Sequence, residues 1–340
     1  MSDGRKFEFN WPFFGNRHII EFLQGSILNQ RVSHFYIFAG IEDLGKGKLA
    51  QHFAASLLCN NFWEGKGGLP CGECGNCRQA VKGSHSDITV QRRLDDKQNI
   101  SIEQIRGFIR LMNLGAFNSR YKIGIIKDAA SLSLEAANAL LKTLEEPKPG
   151  VVIILLARSL DQLPPTIVSR GQILLFRPAA REQIYDYLVN EHQASRHQAK
   201  TIARISAGRP ALAAKLLGNP EFFSEREKII HGCLKILASS PGERLRLAGE
   251  LTANSGEAVA ARAKAAGILA IWQTVIRDLL LLSFPIEEFV ANEVALDELK
   301  QIKLPLNKLL SARQALEQGL KHIAANVNPR LVLENVSLQI

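Results

Sequence analysis

An α/β domain followed by an all-helical region is the architecture this sequence predicts, and three observations predict it. Short apolar runs alternate with segments of helical periodicity between residues 34 and 176. One of these runs, VVIILL at 151–156, is apolar without a break, the pattern of a strand buried on both faces of a parallel sheet. After Arg177-Pro178 the strand signal stops and only helical spacing remains. A chain of 340 residues is also too long for one ordinary core and implies two or three domains.

The elements follow in order. HFYIFA at 34–39 reads as a strand that runs directly into a glycine-rich turn. A helix over 46–59 comes next, with Ala50, Phe53, Ala54 and Leu57 on one face. A short strand is predicted at 88–91. Ser101 and Gln104 have capping-box spacing and open a helix with a buried stripe of Ile102, Ile105, Ile109 and Met112. Arg106 and Arg110 lie four apart on another side of it. KIGII at 122–126 is a strand, and a helix over 133–146 is stopped by Pro147. The strands at 151–156 and 173–176 close the series of βαβ units. Short helices at 181–191, 197–205 and 210–217 surround the turn Gly208-Arg209-Pro210. Longer helices follow at 222–238, 243–253, 256–282, 296–302 and 308–325. Three parts result: 1–178, 179–219 and 220–340.

Hydrophobic residues at 46% and charged residues at 22% are those of a soluble globular protein. No apolar run is expected to reach the ~18 residues that span a bilayer. MSDGRKFEFNWPFF has no signal-peptide core, so a cytoplasmic protein without a membrane segment is expected. The net charge of +9 favours nucleic acid or another polyanion as partner, although the lysines and arginines are scattered.

FAGIEDLGKGKLA at 38–50 nearly matches the phosphate-cradling pattern G-x-x-x-x-G-K-[ST]. Gly40 and Gly45 allow the turn, and Lys46 stands where a lysine reaches the outer phosphates. Gly47 replaces the hydroxyl that would bind magnesium. Glu42 and Asp43 put carboxylates in the turn, which repel phosphate unless they are paired. An ATPase of this type also needs an acidic pair after an apolar strand. Here the strand at 123–126 is followed by Lys127-Asp128, so only Asp128 remains. With both magnesium contacts missing, a degenerate phosphate loop without hydrolysis is expected.

Four of the five cysteines form one constellation, Cys59 followed by Cys71, Cys74 and Cys77 in CGECGNC. Four thiolates suit a closed, tetrahedral, structural zinc site. A disulfide pair and an iron–sulfur cluster are the alternatives, and His85 is the alternative fourth ligand. Cys233, alone among apolar neighbours, is expected to be a core residue.

NALLKTLEEP at 138–147 and TIVSRG at 166–171, with HFYIFAG before the loop and the inserted cysteines, resemble the AAA+ clamp-loader family of bacterial DNA polymerase III. The resemblance covers about residues 13–218, and the C-terminal helices match in size and character. It implies an AAA+ RecA-like parallel sheet domain with a zinc-binding insertion (59–77), a small helical lid domain and an all-α C-terminal collar that oligomerises. It implies that Ser169-Arg170 supplies an arginine finger to the ATP site of a neighbouring subunit. Gly171 stands where the family has Cys and is expected to add flexibility beside the finger. The family's sensor threonine is replaced by Ala157-Arg158, and its sensor arginine by Ala211.

Loss at Gly47, Lys127, Ala157 and Ala211, with the scaffold kept, is nearest to the family's subunit with a retired nucleotide site. The implied role is a non-catalytic part of the DNA-directed DNA polymerase holoenzyme that holds no ATP. Its implied partners are gamma/tau-type ATPase subunits, a delta subunit, the sliding clamp and primer-template DNA, with Arg106 and Arg110 facing the DNA backbone. Two alternatives are a gamma/tau-type ATPase using Lys46 and Asp128, and a subunit that binds ATP without hydrolysing it. A stand-alone DNA-binding module built on the cysteines is the third.

Overall fold

The computed structural model describes residues 6–94, 97, 99–252, 258–284 and 286–340. The chain divides into two units, one running to Ala179 and taking in Arg209–Ala211, the other made of Ala180–Gly208 and Leu212–Ile340.

The first unit contains β1 (Lys6–Phe9), α1 (Arg17–Leu28), β2 (Phe35–Ala39), α2 (Lys46–Leu58), α3 (Asn60–Glu64), β3 (Lys66–Leu69) and α4 (Gly75–Val81). It continues with β4 (Ile88–Gln91), α5 (Ile102–Asn113), β5 (Lys122–Ile126), α6 (Leu134–Glu145), β6 (Val151–Ala157), α7 (Pro165–Val168) and β7 (Gln172–Leu175). Five strands form a wholly parallel sheet in the order β4-β5-β6-β2-β7.

Alternation along the strands divides the core in two. Tyr36, Phe38, Ile123, Ile125, Val152, Ile154 and Leu156 pack with Leu23 of α1 and Phe53 of α2. Phe35, Ile37, Ile126, Ile153 and Leu155 pack on the other side with Ile105, Phe108 and Met112 of α5 and Leu140 of α6. Every residue of β2, β5 and β6 is buried, as a parallel sheet covered by helices on both faces requires. The Ser101–Gln104 capping box that opens α5 forms in both directions.

A second, two-stranded sheet pairs β1 with β3 in parallel, so Phe7, Phe9 and Trp11 join the aromatic cluster of Phe53, Phe62, Trp63 and Tyr121. Neither strand, nor α1, is apparent from the sequence.

The second unit is helical: α8 (Arg181–His192), α9 (Arg196–Ser206), α10 (Pro210–Gly218), α11 (Pro220–Leu237), α12 (Pro241–Thr252), α13 (Ala258–Leu282), α14 (Leu296–Gln301), α15 (Leu306–Ala324) and α16 (Pro329–Gln339). The predicted helix end at 253 and start at 256–257 lie outside the described residues. Trp272, Leu269 and Ile276 of α13 pack with Leu234, Leu316 and Leu333, and Cys233 is buried in the same core as expected. α13 is long and apolar enough to cross a membrane by length and composition, although Arg277 and Asp278 interrupt its apolar run. Its apolar face is the centre of the helical core, and it carries the buried Asp278, which accepts the Ala291 and Asn292 amides.

Candidate functional site

The glycine loop leaves the C-terminal end of β2, which lies between β6 and β7. There the chain order of the sheet reverses, and such a switch point opens a crevice at the carboxyl ends of the strands. Two glycines shape the loop. Gly40 has φ 153°, and a Cβ there would meet the Phe176 carbonyl at 2.6 Å. Gly45, at φ 84°, caps α2 in the left-handed region.

The loop turns its charges inward. Lys46 Nζ donates to the carbonyls of Gly40 at 2.5 Å and Ile41 at 2.6 Å. Burial pushes its ammonium below the usual lysine range; Glu42 pulls it back and Arg158 pushes it further down, with smaller attractions from Asp43 and Asp128. Glu42 is paired with Arg158, Oε1 to Nη2, at 2.5 Å. The Asp43 carbonyl accepts the Ala211 amide at 3.0 Å. Burial lowers the pKa of Arg209, and the fields of Asp43 and Glu42 oppose that shift. Both loop carboxylates therefore face arginines, the condition under which they cease to repel an anion. Asp128 sits after β5 at φ 52°, and the Lys127 amide donates to the Gln91 carbonyl at 2.8 Å. A Cβ at Gly47 would touch Leu156 Cδ1 at an ordinary 3.7 Å, so space does not forbid a hydroxyl there.

Arg170 lies elsewhere. It follows the single turn of α7 and precedes β7, whose register sets Leu175 beside Ala39. Because β7 runs parallel to β2, Arg170 is at the N-terminal edge of the sheet and the glycine loop is at the C-terminal edge. Five strand residues separate them, about 20 Å along the sheet. Arg170 donates from Nε and Nη2 to Glu145 Oε1 at 2.9 and 2.5 Å. From Nη1 it donates to the Thr166 carbonyl at 2.6 Å and the Ser169 hydroxyl at 3.2 Å. Gly171 beside it is not a loose joint: a Cβ there would meet Ile37 Cγ1 at 2.7 Å and Phe35 Cε1 at 2.9 Å. The flexibility read from the sequence is replaced by a close-packing requirement.

Cys59 ends α2, Cys71 follows β3, Cys74 caps α4 and Cys77 lies in its first turn. Their four sulfurs lie within 4.8 Å of one another and form a group that can hold a metal ion. The Cys71–Cys77 separation is 3.8 Å. Tetrahedral zinc with bonds of about 2.3 Å sets its sulfurs about 3.8 Å apart. Amides of Cys71, Cys74 and Cys77 donate to Cys59, Cys71 and Cys74 sulfurs at 3.4 Å each, the pattern that supports thiolate charge. Hydrogen bonding from the Cys77 thiol, with the Cys71 amide, holds Cys59 down at about 5 against its burial. His85 is outside this cage, and its Nδ1 accepts the Asp87 amide at 2.9 Å. The buried Asp87 pins residues 117–119 by accepting the Phe117 and Asn118 amides and the Ser119 hydroxyl.

Two site residues are absent from the sequence reading in the role they take here. Glu145 appears there only inside the LLKTLEEP signature, and Arg158 only as a replacement. Their partners are 25 and 116 residues away, so no local spacing exposes them.

A parallel α/β unit with a glycine loop at its switch point is the architecture of the phosphate-loop fold class. Residues 15–180 match the family described as "DNA polymerase III, delta subunit". The chain is 35% identical over 213 residues to DNA polymerase III subunit delta' of Bacillus subtilis, covering 62% of each. To subunit delta' of Pseudomonas aeruginosa it is 31% identical over 217 residues, 62% of this chain and 64% of that one. To subunit tau of Bacillus subtilis it is 34% identical over 170 residues, 50% of this chain and 29% of that one. The chain thus spans less than two thirds of the length of these relatives.

Proposed function

We propose that the chain is a non-catalytic, delta'-type subunit of a DNA polymerase III clamp loader. It supplies Arg170 as an arginine finger to the ATP site of a neighbouring gamma/tau-type subunit while the sliding clamp is loaded onto primed DNA. The observation that carries this reading is the separation of the two sites. An arginine about 20 Å along the sheet from the loop of its own chain cannot serve a phosphate bound there, but it stands at an edge that another subunit can approach. The loop supports the same reading, because Lys46 is committed to the carbonyls of Gly40 and Ile41. Residues 179–219 act as the lid domain and 220–340 as the collar that joins the delta and gamma/tau-type subunits. Arg106 and Arg110, both exposed on α5, face DNA in the assembly. The four cysteines hold structural zinc, and the protein works in the cytoplasm.

The test is the DNA-stimulated ATPase rate of the reconstituted complex. An arginine finger is worth about 10³ or more at the site it serves, and sites it does not serve dilute that loss, so Arg170→Ala lowers the total rate severalfold. An unchanged rate overturns the reading. Tight, magnesium-dependent binding of a labelled ATP analogue to the isolated chain favours the gamma/tau-type alternative instead. Elemental analysis of the purified chain is expected to give about one zinc; four reactive thiols and no metal refute the zinc assignment.

A further inference from the structure

Arg170 does not project freely from its edge. Among the described residues, four of the five N–H groups of its guanidinium are engaged within the chain: Nε and Nη2 by Glu145, and Nη1 by Thr166 and Ser169. The Thr166 and Ser169 bonds come from residues one to four positions away and move with the arginine. The Glu145 bond comes from another helix, α6, and it is the only charged one of the set. It also has the form that phosphate recognition uses, with two guanidinium N–H groups directed at an oxyanion.

We propose that Glu145 parks the finger: its carboxylate occupies the N–H pair that a phosphoryl oxygen of the neighbour's nucleotide must take. This rests on the finger reading of Arg170 given above. Glu145 is then a positioning residue that acts through Arg170 and touches no nucleotide. The strength of the contact suits an exchange. Arg170 and Glu145 side chains are 34% and 48% exposed, so water screens the pair and it holds weakly. A triphosphate carries more charge than one carboxylate and displaces it only when the neighbouring subunit brings the phosphate close. A buried pair would resist this exchange and an unpaired arginine would need none. The arrangement makes delivery of the finger conditional on assembly geometry.

The experiment uses the full chain assembled with its ATPase partners and compares Glu145→Gln, Arg170→Ala and the double variant. Glutamine keeps the size of the side chain and removes its charge. Glu145→Gln is expected to raise the rate without DNA roughly two- to fivefold, the factor an exposed ion pair can supply, and to leave the DNA-stimulated maximum unchanged. The double variant should match Arg170→Ala alone, since Glu145 acts only through the arginine. If Arg170→Ala lowers the stimulated rate while Glu145→Gln leaves the basal rate unchanged, or lowers both rates together, the parking role fails and the finger survives. If Arg170→Ala changes nothing, the finger reading falls and the parking role falls with it.

Discussion

The two ends of the parallel sheet use similar residues for opposite purposes. At the C-terminal edge of β2, Lys46 donates to its own loop's carbonyls, Glu42 pairs with Arg158, and the Asp43 carbonyl accepts the Ala211 amide. At the N-terminal edge of β7, Arg170 is held by the adjacent Thr166 and Ser169 and by one charged partner, the exposed Glu145. The first arrangement commits its lysine and Glu42 inside the loop. The second holds its cation by a partly exposed ion pair, the contact proposed above to yield to a stronger anion. The difference teaches that a site in this fold is judged by how its charged groups are already spent, and the presence of a motif lysine or arginine is not enough.

The largest test of that contrast is a pair of alanine substitutions. Arg170→Ala is expected to cut the stimulated ATPase of the complex severalfold, whereas Lys46→Ala should leave it within the scatter of the unsubstituted complex. Equal losses would erase the distinction between the two ends. A second pair probes space. Gly171→Cys introduces a Cβ under 3 Å from Ile37 and Phe35, and overpacking of that kind costs about 1–3 kcal/mol, readable as a lower denaturation midpoint. Gly47→Ser has room, and serine is the better helix residue, so stability should stay the same or rise by a few tenths of a kcal/mol. If the two glycines respond alike, the close packing assigned to Gly171 is wrong. The smallest effect belongs to Glu42→Gln. Its partner Arg158 is largely exposed, so the change should cost about 0–1 kcal/mol in chemical denaturation; a larger loss would show the loop network to be stiffer than its exposure implies.

Much of this was legible in the sequence because it is local. The buried strands reveal themselves by unbroken apolar runs, the α5 cap by Ser101 and Gln104, and the cysteine cage by its repeated two-residue spacing. What stayed hidden depends on distant partners. β1 and β3 are four residues each, and β3 contains Gly67 and Gly68 in place of alternating side chains, so only their mutual pairing makes them strands. Gly171 reads as freedom until Ile37 and Phe35 are placed against it. Glu145 reads as part of a signature until Arg170 folds back onto it. α13 reads as an ordinary helix, yet it has the length and hydropathy of a membrane span because it is the centre of a helical core.

The strand order sets a schedule for synthesis. Among the described residues β2 pairs only with β6 and β7, so HFYIFA finds no strand neighbour there until the chain from Val151 onward has been made. At ordinary elongation rates that wait is on the order of ten seconds. The cysteine module lies inside this interval, its four sulfurs spread over residues 59–77, and a metal ion held there would supply folding energy before β2 is paired. β3 precedes Cys71 directly, and β1 pairs with β3. The module is thus placed to gather the N-terminal aromatic residues while the fully buried strand β2 is still waiting for its partners.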